Sequence, residues 1–446
     1  MDELWTNLEP EVINISYTGS RSIIHRVIQI HFSSISAFSK GFSTYTQPLR
    51  LRLRIFTIFF LYKHTHPAVR KGELSTIMKL VFDKADLVKS VAIAMKAVSG
   101  KTTMPILQCI LIDASSSQIK FTSNDMELGI ETLVTGMILE RGVVALDAKI
   151  FSEIVRKLPD NQVTIETDEN LVTTITCEKA KFNIPGQSGE DFSYLPILET
   201  SDCVSISQFT LKELIRQTIF SIAANENNKL MTGELFEIKD NTLRVVSLDG
   251  HRIAIRRIEL KDSYPDRKVV VPGKTLNEIS KILSGEMDDQ IDIYFSENHI
   301  MFKFDDTTVV SRLIDGEYFR IDQMLSSDYE TKVTINKKEF LSCIDRATLL
   351  VKEGDKKPII IDIQDGAMEL QINSAMGSMK EEIDINKEGK DIMIGFNPKF
   401  LIDALRVIDD EEISIYLVNP KAPCFIRNEE ESYIYLILPV NFNSVR

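Results

Sequence analysis

The chain has 446 residues, 43% of them hydrophobic and 26% charged, an ordinary globular composition with length for roughly three domains. A formal net charge of −13 excludes a body that coats nucleic acid uniformly, but leaves room for a basic face on an acidic body. The five cysteines (Cys109, Cys177, Cys203, Cys343, Cys424) are dispersed without a C-x-x-C pair, which predicts reduced thiols in a cytoplasmic protein and argues against a disulfide framework or structural zinc.

Residues 1–77 differ in kind from the rest of the chain. They hold nine Lys/Arg against five Asp/Glu, while the remainder holds 43 against 60. Four of the six histidines lie there (His25, His31, His64 and His66), as does the only tryptophan, Trp5. The apolar run within "LRLRIFTIFFLY" (51–62) is shorter than the roughly 20 residues of a membrane span, and it lies too far from Met1 for a signal peptide. No periodicity persists across the segment, so no packed domain is expected in it. Met78 opens a strand-then-helix pattern, and Lys71-Gly72-Glu73 reads like a purine-rich ribosome-binding sequence translated in frame. The expectation is therefore a natural start at Met78, with 1–77 an unstructured or spurious extension.

From Met78 onward a unit recurs three times. "FDKADLVKSV" (82–91), "ISQFTLKELI" (206–215) and "INKKEFLSCI" (335–344) share an apolar anchor, four mostly polar positions, then two anchors spaced i, i+4. The anchors are Phe82, Leu87 and Val91; Ile206, Leu211 and Ile215; Ile335, Phe340 and Ile344, and the spacing of the last two of each set predicts a helix. A second helix is predicted in "AKIFSEIVRKL" (148–158), "GKTLNEISKIL" (273–283) and "PKFLIDALRVI" (398–408), each with a lysine near its start: Lys149, Lys274 and Lys399. Acidic turns and alternating strands come next in "PDNQVTIET" (159–167), "MDDQIDIYF" (287–295) and "DDEEISIYL" (409–417); recurrence at one loop position predicts solvated turns, not a cation site. The fold class is α+β: three repeats, each with two helices and antiparallel sheet, at 78–200, 201–328 and 329–446. Units in a curved row leave free ends that a second chain could meet, closing a ring of six units.

"SLDGHRIAIRR" (247–257) is the one chemically dense stretch. Asp249 and His251 could serve a hydrolase, but that chemistry needs a nucleophile on a strained turn, and no G-x-S-x-G occurs. "GKT" (273–275) lacks the upstream glycine of a phosphate-binding loop and reads as a helix start. No metal or cofactor site is predicted.

Residues 78–446 resemble the bacterial sliding clamp, the beta subunit of DNA polymerase III. The resemblance rests on "KTTMPIL" (101–107), "EIVRKLP" (153–159), "SLDGHRIA" (247–254), "VVVPGKTL" (269–276), "RLIDGEYF" (312–319), "IGFNPKFLIDAL" (394–405) and "YLILPV" (435–440). It implies a non-catalytic processivity factor: a head-to-tail homodimer encircling duplex DNA without sequence preference, helices lining the hole and sheets forming the outer wall. Its implied partners are the polymerase III alpha subunit, the clamp loader and other proteins with clamp-binding peptides. Those peptides would dock in a hydrophobic cleft lined by Met231, Leu248, Gly250, His251, Arg252, Ile253, Phe319, Met324, Asn397, Phe400, Leu438, Pro439 and Val440. DNA contacts would come from Lys101, Lys149, Asn225, Lys229, Lys274 and Lys399. The dimer interface would pair Phe182 and Ile184 with Leu349 and Leu350. One departure stands out: the family's Phe-Pro-Asp-Tyr-Arg-Arg reads "YFRIDQ" (318–323) here, so the cleft rim lacks a proline and an arginine.

Overall fold

A computed structural model describes residues 77–100, 102–198, 203–224, 228–352 and 357–442, all within the unit Leu74–Arg446. The expectations for residues 1–76, for Lys101 and for Asn225 lie outside the described residues.

Each repeat opens with a strand that runs into a helix: Met78–Asp83 into α1 (Lys84–Ala94), Cys203–Ser207 into α3 (Gln208–Arg216), and Thr331–Asn336 into α5 (Lys337–Thr348). The first anchor of each motif thus sits on the strand. The helices start where a short polar residue takes up a free N–H: Asp83 accepts from Ala85 N at 2.8 Å, Ser207 from Thr210 N at 3.0 Å, and Asn336 from Glu339 N at 3.0 Å. The second helices are α2 (Ala148–Lys157), α4 (Gly273–Ser280) and α6 (Pro398–Val407), and the pairs α1/α2, α3/α4 and α5/α6 pack together. In α4 the cap is Pro272, and Gly273 is required by space. A Cβ there would lie 2.4 Å from Ile222 Cδ1 and 2.9 Å from Thr232 O. The GKT stretch is therefore a helix start with a packing glycine.

All nine anchors are buried, each triplet in its own core: Phe82, Leu87 and Val91 in the first, Ile206, Leu211 and Ile215 in the second, and Ile335, Phe340 and Ile344 in the third. Beyond the acidic turns the strands run Gln162–Thr167, Gln290–Phe295 and Glu412–Leu417. The turns are solvated but not idle. Asp160 pairs with Lys84 at 2.7 Å and Asp409 with Arg216 at 3.0 Å, so two of them brace the start or end of a neighbouring helix.

Strand pairing also joins the repeats. Strand Leu128–Val134 of the first pairs antiparallel with Thr307–Arg312 of the second, building one 13-stranded sheet. Strand Arg252–Pro272 of the second pairs, through 252–256, with Tyr433–Ile437 of the third in a seven-stranded sheet. Ile130 and Ala254 occupy equivalent places at these junctions; each is fully buried and belongs to the next repeat's core. The helix layers meet there too, through Lys96–Glu278 at 3.9 Å and Arg216–Asp409 at 3.0 Å.

Candidate functional site

The 247–257 stretch forms the hairpin between the strands Gly233–Leu248 and Arg252–Pro272, closed by the pair Leu248↔Ile253. Gly250 sits at φ +88°, where an L side chain is strained, although a Cβ would meet nothing within 4 Å. Asp249 organises the turn, accepting from His251 N at 3.0 Å and Arg252 N at 3.2 Å through Oδ1, and from Arg252 Nε at 3.0 Å through Oδ2. Its carboxylate is thus committed to backbone and guanidinium groups. His251 is exposed and stands 6.0 Å from the Phe400 ring.

Arg252 is a strut beneath the site, not part of its open wall. It is 7% exposed, donates to Asp403 Oδ2 at 2.7 Å and Phe220 O at 2.6 Å, and lies 4.5 Å from the Phe400 ring centroid. Leu248 and Ile253 are also buried, at 4% and 6%, because alternation along their strands turns them into an apolar cluster with Tyr318 and Ile321. Met231 and Phe319 pack against that cluster while half-buried.

The C-terminal segment brings in the remaining residues. Leu438 N donates to His251 O at 2.9 Å and Val440 N to Gly395 O at 2.8 Å, so 438–440 runs beside the hairpin turn towards α6. Asn397 caps α6, accepting from Lys399 N at 3.1 Å. Leu438 is 37% exposed, Val440 36% and Met324 47%, while Pro439 is half-buried. The result is a rim of exposed aliphatic side chains over a floor tied together by Arg252. Asp403 and Phe220 belong to that floor and were missing from the sequence-based set, their only sequence signal being their type; Asp249, weighed in the sequence as a hydrolase acid, is instead a structural part of the same floor.

The six helices carry thirteen lysines and arginines against seven acids, opposite in sign to the chain as a whole. Lys149, Lys229 and Lys399 are exposed. Lys274 is engaged, its ammonium pairing with Asp125 across the first junction. Phe182 is 39% and Leu349 75% exposed, whereas Ile184 is buried at 9% and Leu350 packs against the third core.

Catalytic chemistry finds little support here. Burial pushes the Cys109 thiol up to about 11 and those of Cys343 and Cys424 to about 12, which keeps them protonated. Cys203, unlike the other four cysteines, is half-exposed, at the edge of its sheet. Among the described residues no His/Cys/Asp/Glu group could hold a metal ion, and no helix is long and apolar enough to cross a membrane.

Repeats joined edge to edge, a basic helical layer and an apolar rim define a binding platform of the DNA-clamp class. Family models of the DNA polymerase III beta subunit match in series: the N-terminal domain over 78–196, the central domain over 205–319 and the C-terminal domain over 322–441. The beta sliding clamp of Staphylococcus epidermidis is 34% identical over 357 residues, covering 78% of this chain and 94% of its own. That of Staphylococcus aureus is 35% identical over the same length and coverage. A solved chain from Eubacterium rectale is 70% identical with a TM-score of 0.80, and the Bacillus subtilis DNA polymerase sliding clamp is 35% identical with 0.79; each is covered in full by 82% of this chain. The chain belongs to the bacterial beta sliding clamp family, the beta subunits of DNA polymerase III. Its function is that of a DNA sliding clamp, a non-catalytic processivity subunit of the polymerase holoenzyme.

Proposed function

We propose that two copies of the body, with domains at 78–200, 201–328 and 329–446, close head to tail into a cytoplasmic ring around duplex DNA. The observation that carries this is the chain's own pattern of junctions. At both internal junctions the strand that follows the hairpin turn after Ser123 or Ser247 pairs with the last strand of the next repeat. The third repeat's corresponding strand, Gly377–Asp384, ends its four-stranded sheet with one edge unpaired among the described residues. Among the described residues, the first repeat's last strand, Ala180–Ser188, pairs through 180–185 only with Val172–Cys177. Repeat equivalence matches these two free edges between copies and sets Met379 opposite Phe182. Met379 holds the place of Ile130 and Ala254, and Phe182 that of Val309 and Tyr435, four side chains no more than 1% exposed at the internal junctions. Leu349 likewise holds the place of Phe220, which packs against the next repeat's core. Sedimentation of the full chain at micromolar concentration is expected to give a dimer of the 50.7 kDa chain, and a monomer would refute closure.

Lys149, Lys229 and Lys399, with Lys101 and Asn225, are the DNA-facing set in this reading, supported by the basic excess of the helices. Replacing Lys149, Lys229 and Lys399 with glutamine should weaken DNA association and flatten its salt dependence, each lost phosphate contact removing about 0.9 from the log–log slope. Lys274 should matter less, since Asp125 already neutralises it. An unchanged slope in the triple variant would remove these residues from the DNA path.

The cleft at the second junction captures short extended peptides of the polymerase alpha subunit and clamp loader through apolar anchors. The exposed Met324, Leu438 and Val440 rim supports this reading. Met324→Ala or Leu438→Ala should weaken peptide binding by about 1–3 kcal/mol. His251→Ala should cost about 1–2 kcal/mol at most, because its backbone, not its ring, holds the Leu438 segment. Fluorescence anisotropy titration gives the order; loss confined to His251→Ala would make the site polar.

A further inference from the structure

We infer that Asp403 is a positioning residue of the peptide cleft: through Arg252 it holds the second repeat's hairpin turn against α6 of the third. The inference rests on the cleft reading above. Phe400 and Asp403 are spaced i, i+3 and so share one face of α6, and both meet Arg252. Asp403 accepts from one end of the guanidinium at 2.7 Å, while the Phe400 ring centroid lies 4.5 Å from its carbon. The opposite side of the guanidinium belongs to the second repeat, with Nε at 3.0 Å from Asp249 and the other terminal nitrogen 2.6 Å from Phe220 O. Asp249 in turn holds the backbone of His251 and Arg252.

An uninterrupted chain of contacts therefore runs from α6 to the turn that presents Gly250 and His251. Arg252 is buried between one carboxylate from each repeat, so removing the Asp403 carboxylate leaves the guanidinium paired with Asp249 alone and takes away the third repeat's ionic hold on the turn. The main-chain ladder 252–256 with 433–437 already fixes the two repeats in register. Beyond the ladder the tip is held by Leu438 N, which donates to His251 O at 2.9 Å, and by Arg252, whose hold on α6 sets the tilt of the tip over that helix. That tilt sets the distance between His251 and Phe400, and with it the width of the cleft beside Leu438.

The test uses the full chain and its Asp403→Asn, Asp403→Glu and Asp345→Asn variants; Asp345 pairs with Arg406 and serves as a control away from the cleft. One readout is the imidazole Cε1–H NMR signal of His251, assigned with His251→Ala. The other is anisotropy with a fluorescein-labelled clamp-binding peptide of the cognate polymerase alpha subunit. Asp403→Asn should shift the His251 signal but not that of His299, and weaken the peptide about tenfold, a difference of about 1.4 kcal/mol. Dimer content and melting midpoint should change little, Asp403→Glu should restore part of the affinity, and Asp345→Asn should do neither. A His251 signal and a peptide affinity both unmoved in Asp403→Asn would overturn the assignment, as would a loss tracking melting alone. If the parent chain binds no peptide while Asp403→Asn still moves His251, the cleft reading fails and the positioning contact stands.

Discussion

Phe182→Ala combined with Leu349→Ala is expected to leave a folded monomer at micromolar concentration. Both side chains are large and exposed in the single chain, at 39% and 75%; Phe182 holds the place of the buried Val309 and Tyr435, and Leu349 that of the half-buried Phe220 at the second junction. Central anchors of an interface are worth about 2 kcal/mol or more each, and a closed ring of two copies carries the pair twice, so the double variant should weaken association by well over a thousandfold. Leu350 is left intact because it packs against the third domain's own core, and its truncation would mix folding with assembly. Sedimentation reads the dimer and circular dichroism the fold. A variant that still dimerises at micromolar concentration would shift the interface elsewhere.

The second large effect concerns Glu234, fully buried on the strand Gly233–Leu248 with neither carboxyl oxygen hydrogen-bonded. Burial holds its carboxyl well above the ordinary range, with the neighbouring Thr218 hydroxyl a smaller opposing influence. The Thr218 proton is already given to Leu214 O at 2.6 Å, which limits what it can offer a carboxylate. The folded state therefore keeps a proton that the unfolded chain releases near the ordinary glutamate value of about 4.3. The folded state binds more protons over this interval, so the contribution is full below the unfolded value and is lost as pH rises through the folded one. Glu234→Met should raise stability by about 1–3 kcal/mol at about pH 8, with a smaller gain at about pH 5. Urea midpoints at the two pH values measure it; a variant less stable at the higher pH would mean that the carboxylate has a partner.

Much of this architecture was legible in the sequence because repetition made it redundant. Three anchor triplets at one spacing can satisfy the same pattern only if each builds a core, and all nine side chains are buried. The first anchor of each triplet lies on a strand, since an apolar residue just ahead of a capping Asp, Ser or Asn packs equally well from either element. The cleft was legible as a set of residues but not as an arrangement. Alternation along a strand gives two faces and does not say which is covered, so Leu248 and Ile253, placed on the open wall by resemblance, lie in the cluster under Tyr318. Arg252, placed in the cleft lining by resemblance, is a buried strut because Asp403, 151 positions away, takes its guanidinium. Lys274 is similar, with Asp125 149 positions away. Long-range charge pairing leaves no local pattern, which is why these roles needed the fold.

Topological retention on DNA tests the central claim most directly. Phe182→Cys with Met379→Cys puts thiols on residues that repeat equivalence sets opposite each other across the proposed closure, within the spacing an antiparallel pair allows a disulfide. The double variant is loaded by its clamp loader onto nicked circular DNA, oxidised, and washed at high salt. A covalently closed ring is expected to stay on the circle and to be released when a restriction enzyme linearises it. A cross-linked protein that washes off the intact circle, or stays equally on linear DNA, would contradict a clamp that encloses the duplex.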